Sequence, residues 1–93
     1  MQKTFFKKQN NFFQKRVLKI VQAIPSGTTL SYSEVARKAG NAKAARAVGA
    51  IMAANHNPQV PCHRVIRADG SLGGYNRGKT RKQKLLISEG IEP

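Results

Sequence analysis

The one thiol of this 93-residue chain lies in Pro61-Cys62-His63-Arg64-Val65, with an imidazole and a guanidinium as its next two neighbours. A thiol attacks only as thiolate, and a free cysteine titrating near about 8.5 is mostly protonated at neutral pH; a nearby base and positive charge both favour the anion. Adjacent side chains on an extended segment point opposite ways, so His63 would take the Cys62 proton through a bridging water. Such a base needs a third group to orient it. The chain has four acids, Glu34, Asp69, Glu89 and Glu92. Glu34 fits a capping box with Ser31 and Asp69 fits an Asp-Gly turn, which leaves Glu89 as the best candidate orienter. Against this stands the ordinary fate of a lone cysteine, that of a small buried hydrophobe.

Seventeen Lys and Arg against four Asp and Glu give a formal net charge of +13. An excess of that size speaks about partners rather than fold: nucleic acid, an anionic membrane surface or ribosomal packing. A membrane surface is disfavoured: there is no long apolar run, and the start lacks a signal-peptide hydrophobic stretch. One cysteine makes no internal disulfide, and no Cys/His set has zinc spacing. The expectation is a monomeric, metal-free and cofactor-free protein that is cytoplasmic, or nucleoid-associated in a prokaryote. The length allows one domain.

These side chains need elements to position them. Residues 1–10 are basic and lack periodicity, and are read as a loosely held arm before a single domain over 11–93. From Asn11 the pattern is helical, with Phe12, Phe13, Val17, Ile20, Val21 and Ile24 on one face, until Pro25-Ser26-Gly27 stops it. A second helix starts at Ser31 and ends at Gly40. Asn41 is expected to cap a third, roughly Ala42 to Ala54, with Val48, Ile51 and Met52 inward and Lys43 and Arg46 near its start. Two short helices around a Gly-Asn turn resemble a helix-turn-helix. Val65-Ile66-Arg67 and Ser71-Leu72 flank Ala68-Asp69-Gly70, an Asp-Gly hairpin signal. After a glycine-rich loop, Gly73 to Gly78, a last helix is expected from Thr80 to Glu89, capped by Thr80 with Gln83 and closed by Gly90. The fold class expected is mainly α, a winged-helix-like helix-turn-helix domain with a small β-hairpin.

Pro-Cys-His-Arg-Val-Ile at 61–66, preceded by Ala-Ala-Arg-Ala-Val-Gly at 44–49 and an Asn-Pro segment, resembles the active-site region of the O-6-alkylguanine-DNA alkyltransferases. Leu30-Ser31-Tyr32, Gly73-Gly74-Tyr75, Leu85-Leu86 and Glu89-Gly90 extend the likeness, in order, over about Phe12 to Ile91. The resemblance implies that double-stranded DNA containing alkylated guanine is the partner and Cys62 the permanent alkyl acceptor. It implies that His63 takes the thiol proton through water, Glu89 orients His63, and Tyr32 protonates the base as it leaves. Arg46 would fill the space of the flipped base, with Lys43, Ala45 and Arg64 contacting DNA nearby. Asn55 would fix the helix-turn-helix against the active-site strand. The carbonyls at Cys62 and Val65 would recognise the exocyclic amine, Tyr75 and Asn76 would cover the pocket, and Ser31 would support it.

Taken singly, Tyr32 is a packing residue, Arg46 a solvated helix residue, Gly73-Gly74 a turn, and Arg77, Lys79, Arg81, Lys82 and Lys84 a solvated face or a phosphate track. The chain also departs from the family. The family usually carries a domain before this one, and the expectation from these 93 residues is that it is absent; the Asn55–Cys62 segment is about one residue shorter, His56 stands where many have proline, and Asn76 replaces a frequent serine. A related group, the alkyltransferase-like proteins, binds lesions without reacting and usually has tryptophan in place of the cysteine; Cys62 favours the reactive class. A basic DNA-coating protein with an inert cysteine is the remaining alternative.

Overall fold

The computed structural model describes residues 2–73 and 78–91, with side chains from residue 12 onward. In chain order it has α1 (Gln2–Gln22), β1 (Leu30–Ser31), α2 (Tyr32–Lys38), α3 (Ala45–Ala54), a single 3-10 turn at Cys62–Arg64, β2 (Val65–Ile66) and α4 (Lys79–Ser88). Among the described residues no helix is long and apolar enough to cross a membrane.

The core is built where the apolar periodicity of three helices meets. Val17, Val21 and Ile24 come from α1, Val35, Ala36 and Ala39 from α2 and its end, and Val48 and Met52 from α3. Val60, Cys62 and Val65 complete it from the segment after α3, so the thiol belongs to the core by packing. Phe12 does not join: it is 63% exposed, and the Arg16 guanidinium lies 4.7 Å from its ring centroid.

α2 starts where its capping box dictates. The Ser31 hydroxyl accepts from the Glu34 N–H at 3.0 Å, and the Glu34 carboxylate accepts from the Ser31 N–H at 2.9 Å. Gly40, at φ +99°, takes the left-handed conformation that ends it. Arg16 then donates to the Ala39 carbonyl at 3.2 Å, a cation at the negative end of the helix.

Four expectations are corrected. Helix α1 begins at Gln2 and so includes residues 2–10 of the segment read as an arm. Asn41 does not cap α3: its side chain accepts from the Lys43 N–H at 3.1 Å within the turn, and the helix starts at Ala45 without a side-chain cap. Thr80 is not a cap either, since α4 opens at Lys79 behind Gly78. The Asp-Gly turn closes, with the Arg67 N–H on the Ser71 carbonyl at 2.9 Å, but no strand ladder continues from it among the described residues. The small sheet is instead a parallel pairing of β1 with β2, Leu30 opposite Val65 and Ser31 opposite Ile66. That register matters for the site, because β1 leads straight into Tyr32 and β2 follows straight from Cys62-His63-Arg64.

Candidate active site and nucleic-acid face

The 3-10 turn holds Cys62 by its backbone. The Cys62 N–H donates to the Val60 carbonyl at 2.8 Å, the Arg64 N–H donates to the Pro61 carbonyl at 2.9 Å, and the Val65 N–H returns to the Cys62 carbonyl. The thiol is 6% exposed. Asn55, at the end of α3, directs its amide to the Cys62 sulfur at 3.8 Å and to the Asn57 carbonyl at 3.3 Å, while its oxygen accepts from the Asn57 N–H at 3.3 Å. One side chain therefore joins the end of α3 to the Cys62 sulfur.

Glu89, the acid reached by elimination, lies against the His63 ring. His63 Nε2 is 2.9 Å from Glu89 Oε2. Glu34 and Asp69 are occupied as expected, the latter accepting from the Ser71 N–H at 2.9 Å and the Ser71 hydroxyl at 2.7 Å. Arg64 fixes Glu89 in turn, with Nε on Oε1 at 2.9 Å and Nη2 on Oε2 at 2.6 Å, and anchors itself on the Ile24 carbonyl at 2.8 Å. The Arg64 and His63 bonds hold the Glu89 carboxyl down at about 2. An ionised carboxylate only accepts, so His63 Nε2 carries the proton and donates it, and in the neutral ring Nδ1 is left with the lone pair of a base.

Arg64, expected among the DNA-contacting residues, has its guanidinium turned to an internal carboxylate. Its side chain is 17% exposed and its fork is spent on Glu89 and the end of α1. In a chain so rich in arginine, only the partner set distinguishes this one.

The depressed Glu89 has a consequence in acid. Its folded value, about 2, lies below the ordinary 4.5, so its contribution to stability is fully present above about 4.5 and is lost as pH falls from there toward 2. An acid titration followed by circular dichroism is expected to show weakened unfolding free energy over that interval, and Glu89→Gln is expected to flatten that part of the curve. An unchanged curve in the variant would contradict the pairing.

On the other side, Tyr32, Ser33, Ala45, Arg46, Gly49, Arg67 and Ala68 line an open cleft of about 680 Å³. Arg46 is exposed and Ala45 half-buried, on the first turn of α3; Lys43 is exposed in the turn before it. Tyr32 faces two ways: it lines this cleft, and its charge state feels both Arg67 and Cys62. Burial pushes its phenol above the usual range, so it stays protonated and can donate. The carbonyls expected to read an exocyclic amine are both engaged, Cys62 O by the Val65 N–H and Val65 O by Lys82 Nζ at 2.7 Å; each retains a second lone pair. Tyr75 and Asn76 lie outside the described residues, as does Arg77.

The places of Lys82 and Arg67 in this region escape the sequence reading, which gives Gly73 only as part of the family likeness and of a turn. Lys82 is fully buried rather than on a solvated face. The signal for it was its helical spacing: four residues before Leu86, also buried, it shares the inward face of α4. Arg67 lines the cleft, and Gly73, at φ +70°, leaves room for the Tyr32 hydroxyl, which would lie 3.1 Å from any Cβ there.

Residues 12–91 match the family model for the DNA-binding domain of 6-O-methylguanine DNA methyltransferase. A methylated-DNA–protein-cysteine methyltransferase of Methanothermobacter thermautotrophicus is 49% identical over 80 residues, covering 85% of this chain and 44% of the relative. Its namesake in Rattus norvegicus is 46% identical over 85 residues, covering 89% and 41%. The chain thus spans less than half the length of these curated relatives. Among solved structures, Mycobacterium tuberculosis OGT in complex with DNA superposes with a TM-score of 0.80 at 49% identity, over 84% of this chain and 48% of that one. S. pombe Atl1, in complex with damaged DNA containing O6-carboxymethylguanine, gives a TM-score of 0.80 at 36% identity, over 86% and 77%. By family match, by identity and by fold, this chain belongs to the 6-O-methylguanine DNA methyltransferases, through their DNA-binding domain.

Proposed function

We propose that the chain repairs O-6-alkylguanine in duplex DNA by direct, stoichiometric transfer of the alkyl group to Cys62. The observation that carries this is the relay Arg64–Glu89–His63, built on the two residues that follow the chain's one thiol in sequence. His63 Nδ1 accepts the Cys62 proton through a water. The thiolate attacks the alkyl carbon in line, the S–C bond forms as the C–O6 bond breaks, and guanine leaves with the electron pair. Tyr32 then gives its proton to the base. A base stacked in a duplex is out of reach of a buried sulfur, so it must be flipped out, at a cost of a few kcal/mol that Arg46 offsets by filling the gap. The spent protein holds a thioether and does not turn over.

In this reading residues 11–93 are the C-terminal, active-site half of the family's architecture, acting as a monomer in the cytoplasm or on the nucleoid without metal or cofactor. Tyr75 and Asn76 cover the pocket, Ser31 sets the helix start that places Tyr32, and Lys43 and Ala45 lie along the DNA. The net charge of +13 supplies affinity that ignores sequence.

The fold shared with Atl1 points to a second, less favoured reading, a lesion sensor that does not react. The two separate on the DNA side. After incubation with limiting protein, nucleoside analysis of a duplex containing O6-methylguanine is expected to show one lesion restored to guanine per protein molecule; lesions that are bound but unchanged establish the sensor.

A DNA-coating role separates by mutation. Arg46→Ala is expected to slow transfer at least tenfold. Lys43→Ala is expected only to reduce the log–log salt slope of binding by about 0.9, as one lost phosphate contact would. Equal, charge-only effects of the two changes would count against a wedge at Arg46.

A further inference from the structure

Arg67 is the one cation of the open cleft that the chemistry above leaves without a task. Its backbone is closed into the Asp-Gly turn: the Arg67 N–H donates to the Ser71 carbonyl at 2.9 Å, and the Arg67 carbonyl accepts from the Gly70 N–H at 2.9 Å. The stem of its side chain is seated as well. Arg67 Cγ and the Tyr32 hydroxyl converge on Gly73, where a Cβ would lie 3.4 Å from the first and 3.1 Å from the second. The far end is different. Arg67 is exposed, and among the described residues no hydrogen bond or ion pair engages its guanidinium. Asp69, two residues on, feels the Arg67 charge but gives its Oδ1 to the Ser71 N–H and hydroxyl. Arg64 shows the contrast, with its fork spent on Glu89. A free fork on a fixed stem suits an anion that accepts two parallel N–H bonds, and phosphate is the anion DNA offers.

We propose that Arg67 binds a backbone phosphate flanking the flipped nucleotide, and so stabilises the extruded state rather than the first encounter with DNA; this rests on alkylguanine entering the cleft to reach Cys62. The chemistry of the base says which end of the nucleotide comes here. O6 and N9 lie at opposite ends of guanine, so a base that brings O6 to the buried sulfur leaves its sugar and phosphates toward the open side. Arg67 and Arg46 reach the cleft from different elements, Arg46 from α3 and Arg67 from the segment that follows β2. The cleft between them, about 680 Å³, is of a size that admits a nucleotide. In a stacked duplex the phosphates follow the helix past α3, and extrusion turns one of them toward the wall that carries Arg67. A contact made in one state and not in the other shifts the equilibrium toward that state by its full differential strength. Arg46 then fills the gap that the base leaves, and Arg67 holds the strand that has moved.

The test compares affinities for an undamaged duplex and for one containing O6-methylguanine, by fluorescence anisotropy, in a Cys62→Ala background that leaves the lesion intact. Arg67→Ala removes no internal bond, so the fold is expected to survive it. It is expected to weaken binding of the lesion duplex about tenfold, as loss of one charge-assisted pair would, and of the undamaged duplex less than about twofold. Lys19→Ala, which removes an exposed cation of α1, is expected to change both by the same small factor. Equal weakening of the two duplexes by Arg67→Ala, or none, overturns the proposal. A second measurement identifies the phosphate. The phosphate on each side of the lesion is replaced in turn by an uncharged methylphosphonate. One replacement is expected to weaken binding when Arg67 is present and to cost nothing further in Arg67→Ala; a cost that persists in the variant at both positions overturns the assignment. Both readouts are affinities, so absence of alkyl transfer would leave them standing, and an unmoved lesion preference would leave transfer to Cys62 standing.

Discussion

Cys62→Ala is expected to abolish alkyl transfer from DNA while leaving affinity for a lesion-containing duplex within about twofold. The two properties separate because they rest on different groups. The sulfur is 6% exposed and packed among Val60, Val65 and the helical core, whereas the basic cleft is lined by Arg46 and Arg67 without it. Losing one buried sulfur from a core leaves a small cavity, costing on the order of 1 kcal/mol, well within what a folded domain tolerates. Fluorescence anisotropy with a labelled duplex and a transfer assay on the same preparation give the comparison. A parallel loss of binding and transfer would mean that Cys62 is a structural residue of the DNA face, and the transfer reading would fail.

The second large effect is expected at Glu89. Glu89→Ala strips the acceptor from two Arg64 nitrogens and from His63 Nε2 in one step. A guanidinium with 17% of its side chain exposed then keeps the Ile24 carbonyl but not its carboxylate. Leaving a largely buried charge short of its partner costs roughly 2–3 kcal/mol. Loss of the orienting group lets the imidazole turn and choose either tautomer, and the removal of such outer partners typically lowers activity about 10–100-fold. Glu89→Gln preserves the shape and one acceptor, and is expected to fall between. The transfer rate constant is to be measured under conditions where thermal melts show the variants folded. A rate equal to that of the unmodified chain, with the melting temperature lowered, would reduce Glu89 to a structural tie.

What the sequence revealed were features closed within a few residues. The Ser31–Glu34 capping box, the left-handed Gly40 and Gly90, and the Asp69 turn are local chemistry, and each is where the pattern placed it. Those local assignments also exposed Glu89, since an acid engaged by its own turn is unavailable to His63. The features that escaped depend on what the chain meets far away. Arg64 looked like one more cation for phosphate until the end of α1 and Glu89 were brought to it from 40 and 25 residues away. Lys82 looked like part of a solvated basic run, although its spacing to Leu86 already placed it inward. An Asp-Gly signal specifies a turn but not the ladder beyond it, and Leu30 and Val65 found each other across 35 residues, in a parallel pairing that no hairpin signal encodes. The start of α3 slipped from Ala42 to Ala45 because Asn41 closes the turn before it instead of capping the helix.

Transfer to Cys62 is most directly tested by intact-protein mass after mixing the chain with a duplex containing O6-methylguanine. The expected result is a gain of one CH2, the S–H hydrogen replaced by a methyl group, mapped by peptide fragmentation to Cys62 and absent from Cys62→Ala. Unchanged mass beside tight lesion binding would contradict it, and would make the chain a sensor of alkylated guanine that has kept its cysteine.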